Sequence, residues 1–186
     1  MSRSFKGVLL ALAFVAAAAL PARTQQTLLP SPTIVLFAGA PFSGTLTSIP
    51  TDLIHAHATV GAALDIPLFG PISIEPNVAV VHLSLPENAT AGAPMVRRTL
   101  TTGDLNLKLS APLNPFLIHP YLVVGAGVAH ISGVATQPTF DVGVGAAIAL
   151  TRSLELRPEV RFGHTLSSSQ SIPRLNRFTL GLGYTF

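Results

Sequence analysis

From Thr33 to Phe186 apolar residues recur at every second position in eight segments, each bounded by clusters of Gly, Pro, Ser or Asn. A period of two places successive side chains on opposite faces of an extended chain and predicts strands. The segments are Thr33 to Phe42, Ile54 to Ile66, Ile72 to Leu83, Leu100 to Ser110, Pro120 to Ile131, Thr139 to Leu150, Leu154 to Gly163 and Leu175 to Phe186. Connections at Pro67 to Pro71 and Thr151 to Ser153 are tight. Those at Ser43 to Leu53, Ser84 to Thr99, Ser132 to Pro138 and His164 to Arg174 are longer and rich in small or polar residues. With a periplasmic N-terminus the four long connections share the outer side, and Ala111 to His119 is the one longer inner connection. The order predicts an antiparallel up-and-down arrangement.

Charge tells which face is which. The seventh segment carries Glu155, Arg157, Glu159 and Arg161 on one face and Leu154, Leu156, Val160 and Phe162 on the other. The fourth repeats this, with Asp104, Asn106 and Lys108 opposite Leu105, Leu107 and Leu109. Charges aimed into lipid cost several kcal/mol each near the midplane, so the charged face is an interior and the apolar face meets lipid. Asp65, Glu75 and Asp141 fit inward positions, and acids and bases then pair inside. Gly125, Gly127, Gly143, Gly145, Ala147 and Ala149 also fall inward, leaving room for long side chains. The fold class is all-β, an eight-stranded antiparallel transmembrane β-barrel. Its lumen is only wide enough for side chains and is expected to be filled by them.

Composition adds boundaries. Charged residues are 10% of the chain, yet no internal apolar stretch after the N-terminus reaches spanning-helix length. A chain this apolar without such a helix points to strands in a bilayer. Arg3 and Lys6 precede an apolar run from Gly7 to Leu20, and Leu20-Pro21-Ala22 offers a cleavage site. Residues 1–22 are therefore expected to be a secretory signal peptide, residues 23–32 a short periplasmic leader and 33–186 the barrel domain. The signal takes two of the 11 basic residues and none of the 8 acidic ones, so the remainder is close to neutral and no nucleic-acid partner is implied. The absence of cysteine excludes disulfides and thiolate metal sites.

Phe178-Thr179-Leu180-Gly181-Leu182-Gly183-Tyr184-Thr185-Phe186 resembles the C-terminal signal of bacterial outer-membrane β-barrels, with Thr179, Gly181, Tyr184 and Phe186 at the signal positions. The run Pro120 to Val128, then Phe140 to Ala146, then Leu156 to Phe162 resembles the small outer-membrane β-barrel family of the OmpA and OmpX type. The resemblance implies an eight-stranded barrel in the bacterial outer membrane with no enzymatic residues and no cofactor. It implies contact with outer-membrane lipid and lipopolysaccharide, and with the barrel assembly machinery through the C-terminal strand. With no tryptophan and 2 tyrosines, the interfacial aromatic girdles are expected to rest on Phe37, Phe42, Phe140, Phe162, Phe178 and Phe186. Pro76, Pro120 and Pro158 fall near strand starts, where a missing ladder donor is tolerated.

Few residues invite chemistry. His55 and His57 share a face and could chelate a metal only with a third ligand, which the sequence does not supply; no metal site is expected. His164-Thr165-Leu166-Ser167 is comparable with the lipid A deacylase barrels, but no acid follows His164 and Glu159 is the nearest. Arg97 and Arg98 in the second outer loop, with Arg174 and Arg177 by the fourth, could meet lipopolysaccharide phosphates. Asn88-Ala89-Thr90 matches a glycosylation acceptor by chance composition. The reading is a non-enzymatic barrel with a structural or surface-recognition role through its outer loops, the loop partner being unknown. Its rivals are a lipid A hydrolase, a small selective pore and a soluble ligand-binding barrel.

Overall fold

The computed structural model describes residues 31–41, 55–86, 95–111, 117–133, 135–166 and 176–186. The signal segment 1–22, the leader up to residue 30, Phe42, Asn88-Ala89-Thr90, Ser167 and Arg174 lie outside the described residues, as do the side chains of His55 and His57. Eight strands follow in order: β1 (Thr33–Pro41), β2 (His55–Phe69), β3 (Ile72–Pro86), β4 (Met95–Ser110), β5 (Ile118–Ile131), β6 (Ala135–Ala149), β7 (Leu154–Thr165) and β8 (Arg177–Thr185). Each pairs antiparallel with the next, and β1 pairs with β8 to close the barrel. Where all eight strands overlap, closure leaves no unpaired strand edge, which a bilayer would not tolerate.

Alternation of exposure fixes the two faces. On β4, Leu105, Leu107 and Leu109 are 60%, 54% and 49% exposed, whereas Asn106 and Lys108 between them are 1% and 3%. On β8, Phe178, Leu180, Leu182 and Tyr184 point out while Thr179, Gly181 and Gly183 point in. The outside is a continuous apolar wall and the inside holds the described carboxylates. Pro76 and Pro158 sit five residues into β3 and β7 and still hold places in the ladder, opposite Leu105 and Leu180. Pro120 is the third residue of β5. A proline removes one donor only, so the other pairs of the ladder keep the strand in place.

The rim carrying the start of β1 and the end of β8 is here the near rim, and the opposite end the far rim. At the far rim two expected boundaries are corrected. β3 runs to Pro86 and β4 starts at Met95, with Ser84 opposite Arg97 and His82 opposite Thr99. The second far connection is thus shorter than Ser84 to Thr99, and Arg97 and Arg98 belong to a strand. β6 starts at Ala135, so the third far connection is a three-residue turn rather than a long loop. Thr136 is a good strand former whose polarity, with that of Gln137, imitated a loop. Gly133 supplies the turn's positive φ of 74°, a conformation that costs side chains dearly. Ser132 anchors it, since its N–H donates to the Thr99 carbonyl at 3.0 Å and Thr99 N–H donates to its Oγ at 3.2 Å.

β2 to β6 run 14 to 16 residues against nine in β1 and β8, so one side of the barrel extends beyond the rest. In that extension the polarity of the faces inverts. Val81, Leu83, Leu100, Ala129 and Ile131 point inward and form a buried apolar cluster. His82, Thr99, Thr101 and His130 lie between them on the outward side. This is the pattern of a sheet in water, with apolar residues in and polar residues out.

Candidate functional site

Two regions hold the polar chemistry: the lumen and the outer surface of the far rim. In the lumen β7 projects Glu155, Arg157, Glu159 and Arg161 inward every second residue. Arg157 Nη2 reaches Asp65 of β2 at 2.6 Å, its Nη1 reaches Glu75 of β3 at 3.3 Å, and its Nε donates to Glu155 at 2.5 Å. Lys108 of β4 also pairs with Asp65. Arg161 Nη2 reaches Glu75 at 2.6 Å and Asp141 lies 3.5 Å from Nη1, while Nε donates to Glu159. Charge-assisted, forked contacts of this kind are the strongest hydrogen bonds available to side chains. The lumen network named from the sequence is therefore brought together, with Asp65 and Glu75 as bridging members and Asp104 at its far edge.

Two members were not read from the sequence. Tyr121 of β5 donates its phenol to Glu159 Oε2 at 3.1 Å, and its ring lies 5.0 Å from Lys108 Nζ and 6.0 Å from the Arg157 guanidinium carbon. That ring rests on Gly145, where an added Cβ would fall 2.5 Å from Tyr121 Cζ. Gly145→Val is therefore expected to destabilise the barrel by about 1–3 kcal/mol through overpacking, measured as a lower urea midpoint in lipid vesicles. Arg177, expected beside the fourth far loop, instead opens β8 facing inward, 3.9 Å from Asp104. It shares the parity of Thr179 and Gly181. Phe37 is the other correction: it points into the lumen over Gly61 and does not belong to a girdle. Phe140, Phe162, Phe178 and Phe186 do face outward, and Tyr184 packs edge-on against Phe186 at 5.4 Å.

A cavity of about 20 Å³ remains between Val35, Phe37, Glu75, Tyr121, Arg157 and Arg161. That is room for about one water. Among the described residues no group of His, Asp and Glu could hold a metal ion. His164 points out of β7, opposite Phe140, whereas Glu159 points in and is engaged by Arg161 and Tyr121. Five residues along one strand put the two on opposite faces, so Glu159 cannot orient His164 as a catalytic pair would require.

On the outer surface of the far rim the residues form rows across β3 to β6. Val78, Gly103, Val128 and Pro138 make the last apolar row. Val80, Thr101, His130 and Thr136 make the next, with His130 Nδ1 2.7 Å from Thr136 Oγ1. His82 beside Thr99 follows, and then exposed Arg97 opposite Ser84. Arg98 has the opposite parity and donates from Nη1 to the Ser132 carbonyl at 3.2 Å, bracing the β5–β6 turn.

A lipid-facing apolar wall closed around an ion-paired interior defines a small transmembrane β-barrel. Several solved structures with this fold are outer-membrane proteins. The chain is similar to the N-terminal β-barrel domain of OprF from Pseudomonas aeruginosa, with 12% identity and TM-score 0.58 over 85% of this chain and 99% of that one. It is similar to Neisserial surface protein A, with 14% identity and TM-score 0.58 over 83% and 96%. It is also similar to the attachment invasion locus protein Ail of Yersinia pestis, crystallised with the heparin analogue sucrose octasulfate, with 12% identity and TM-score 0.51 over 86% and 100%. No family model matches the sequence, and no curated protein matches it. The likeness is one of fold, that of the eight-stranded outer-membrane barrels of the OmpA and OmpX type.

Proposed function

We propose that the protein is a non-enzymatic barrel of the bacterial outer membrane, which supports the envelope or presents its far-rim connections for recognition outside the cell. The observation that carries this reading is the apolar outer wall around a lumen closed by buried ion pairs. Four alternating charges on β7 have no place in lipid, and the wall outside them has no place in water. Function in such scaffolds resides in connections held by a rigid frame. The complex of Ail with a sulfated sugar is an example of this fold holding a ligand.

Conduction is disfavoured because a solute would have to part Arg157 and Arg161 from their carboxylates. Hydrolysis is disfavoured because the acid nearest His164 in sequence faces away from it. The near rim, with its tight turns at 70–71 and 150–153, is taken as periplasmic, matching the short-turn side of such barrels. Thr179, Gly181, Tyr184 and Phe186 are taken as the segment read by the assembly machinery.

The test is electrophoresis of outer-membrane fractions with and without boiling, for the full chain and for a variant lacking Phe186. A heat-dependent mobility shift, with poor assembly of the variant, is expected. Purified protein in planar bilayers should show no discrete conductance steps. Recovery in the soluble periplasm, or steady unitary currents, would overturn the reading.

A further inference from the structure

The charges of the lumen do not balance. Among the described residues six carboxylates face it, against the four bases Lys108, Arg157, Arg161 and Arg177. Two negative charges are left over inside a lipid-facing wall, where uncompensated charge is costly. The shortfall lies toward the far rim. Asp65, Glu75, Glu155 and Glu159 each accept a hydrogen bond from a guanidinium. Asp141 and Asp104 have only Arg161 Nη1 at 3.5 Å and Arg177 Nη2 at 3.9 Å, neither of them hydrogen-bonded to the carboxylate.

Around these two aspartates, oxygen atoms gather over glycine. β4 supplies Asp104 and Asn106, β6 supplies Thr139 and Asp141, and between them β5 places only Gly125 and Gly127. A Cβ added to Gly125 would run into Asn106 Oδ1 and Asp141 Oδ1 together, and one added to Gly127 into Asp104 Oδ1. Asn106 is 1% exposed, and its amide is held one way round because Nδ2 donates to the Glu75 carbonyl at 2.9 Å. Its Oδ1 has no partner, and neither has Asp141 Oδ1. Two buried acceptors thus converge with no donor for either, an arrangement that demands a bound species. Thr139 Oγ1, 3.2 Å from Asp104 Oδ1, adds a fourth oxygen.

We infer that this hollow is a calcium site, with Asp104, Asn106, Thr139 and Asp141 as its oxygen ligands. Sets of three or more His, Asp or Glu are absent among the described residues; here an amide and a hydroxyl complete two carboxylates, the oxygen set of a hard cation. One divalent ion cancels the excess of two charges and ties β4 to β6 across the glycines of β5. Calcium accepts an irregular oxygen shell, whereas magnesium demands a near-ideal octahedron and sheds water reluctantly. Thr139 pairs with Thr165, the last residue of β7, so the site lies near the far mouth on the short side of the barrel, where an ion would enter.

The test titrates the full barrel, refolded into neutral detergent free of lipopolysaccharide, with calcium chloride in a calorimeter. One ion per chain should bind, with a dissociation constant of about 10⁻⁴–10⁻³ M, the range of weakly charged calcium sites. Asp104→Asn and Asp141→Asn should each weaken binding about tenfold or more, since ligand charge sets affinity. Asn106→Leu, which changes no charge, should weaken it too and serves where an aspartate variant does not fold. Asp52→Asn with Glu87→Gln, which removes the two acids outside the described residues, should bind as the parent does. In chelator the urea midpoint of Asp141→Asn should be no lower than the parent's, because the substitution removes part of the excess charge, and calcium should raise the parent's midpoint alone. A parent chain that takes up no calcium overturns the proposal and leaves water to satisfy Asn106 and Asp141. Uptake unchanged in both aspartate variants, uptake lost with Asp52 and Glu87, or magnesium bound as tightly as calcium overturns it as well.

Discussion

Arg157→Met is expected to cost about 3–5 kcal/mol of stability, the penalty of leaving buried charge uncompensated. Arg157 is the partner shared by three carboxylates on three strands, Asp65, Glu75 and Glu155. Glu75 retains Arg161 and Asp65 retains Lys108, but Glu155 loses its only ion pair among the described residues. Urea unfolding in phospholipid vesicles should show a much lower midpoint with the heat-dependent band shift still present at low urea. Arg157→Lys should recover only part of the loss, because an ammonium is a single point charge without the planar fork. A double variant that also carries Glu155→Gln should recover more, since it removes the acid left unpaired. An unchanged midpoint for Arg157→Met would mean that water, rather than the guanidinium, balances these acids.

Penalties of substitutions along β4 should change with height and with face. Leu107→Arg, on the lipid face, is expected to cost about 2–4 kcal/mol. Thr99→Arg, four outward positions further on, should stay within about 0.5 kcal/mol, as exposed positions do. Leu100→Ala, next to Thr99 but facing inward, should cost about 2–5 kcal/mol because it opens a cavity among Val81, Leu83 and Ile131. Vesicle unfolding of the three variants checks this. Equal penalties at Leu107 and Thr99 would place the bilayer surface beyond Arg97.

The strands and their sidedness were legible because two solvents impose one strict period. Lipid excludes charge from one face, a narrow lumen demands pairing on the other, and parity then places Lys108 or Arg161 by counting. Strand ends beyond the lipid were less legible. Thr136 to Pro138 and Arg97 to Thr99 have the composition of a loop, yet backbone pairing is indifferent to side-chain polarity in water. The inward turn of Phe37 depends on Gly61 standing opposite, a fact of register that the sequence of β1 alone does not contain. Tyr121 over Gly145 is hidden for the same reason. The opposite facing of His164 and Glu159, in contrast, follows from an odd separation and needed only counting. The inner cluster on β3 to β5 is not legible in the sequence because Leu100 and Ile131 fall at the ends of the period-two segments, where facing has little meaning.

The reversal of polarity along β3 to β5 makes this barrel a depth gauge. Below the crossover a polar substitution is tolerated inward and punished outward, and above it the rule is reversed. The residue pair at which the two penalties are equal marks the boundary between hydrocarbon and water, here between Gly103 and Thr101 on β4. A membrane of different thickness would be registered by this chain as a shift of that crossing point along the strand, one side-chain pair at a time.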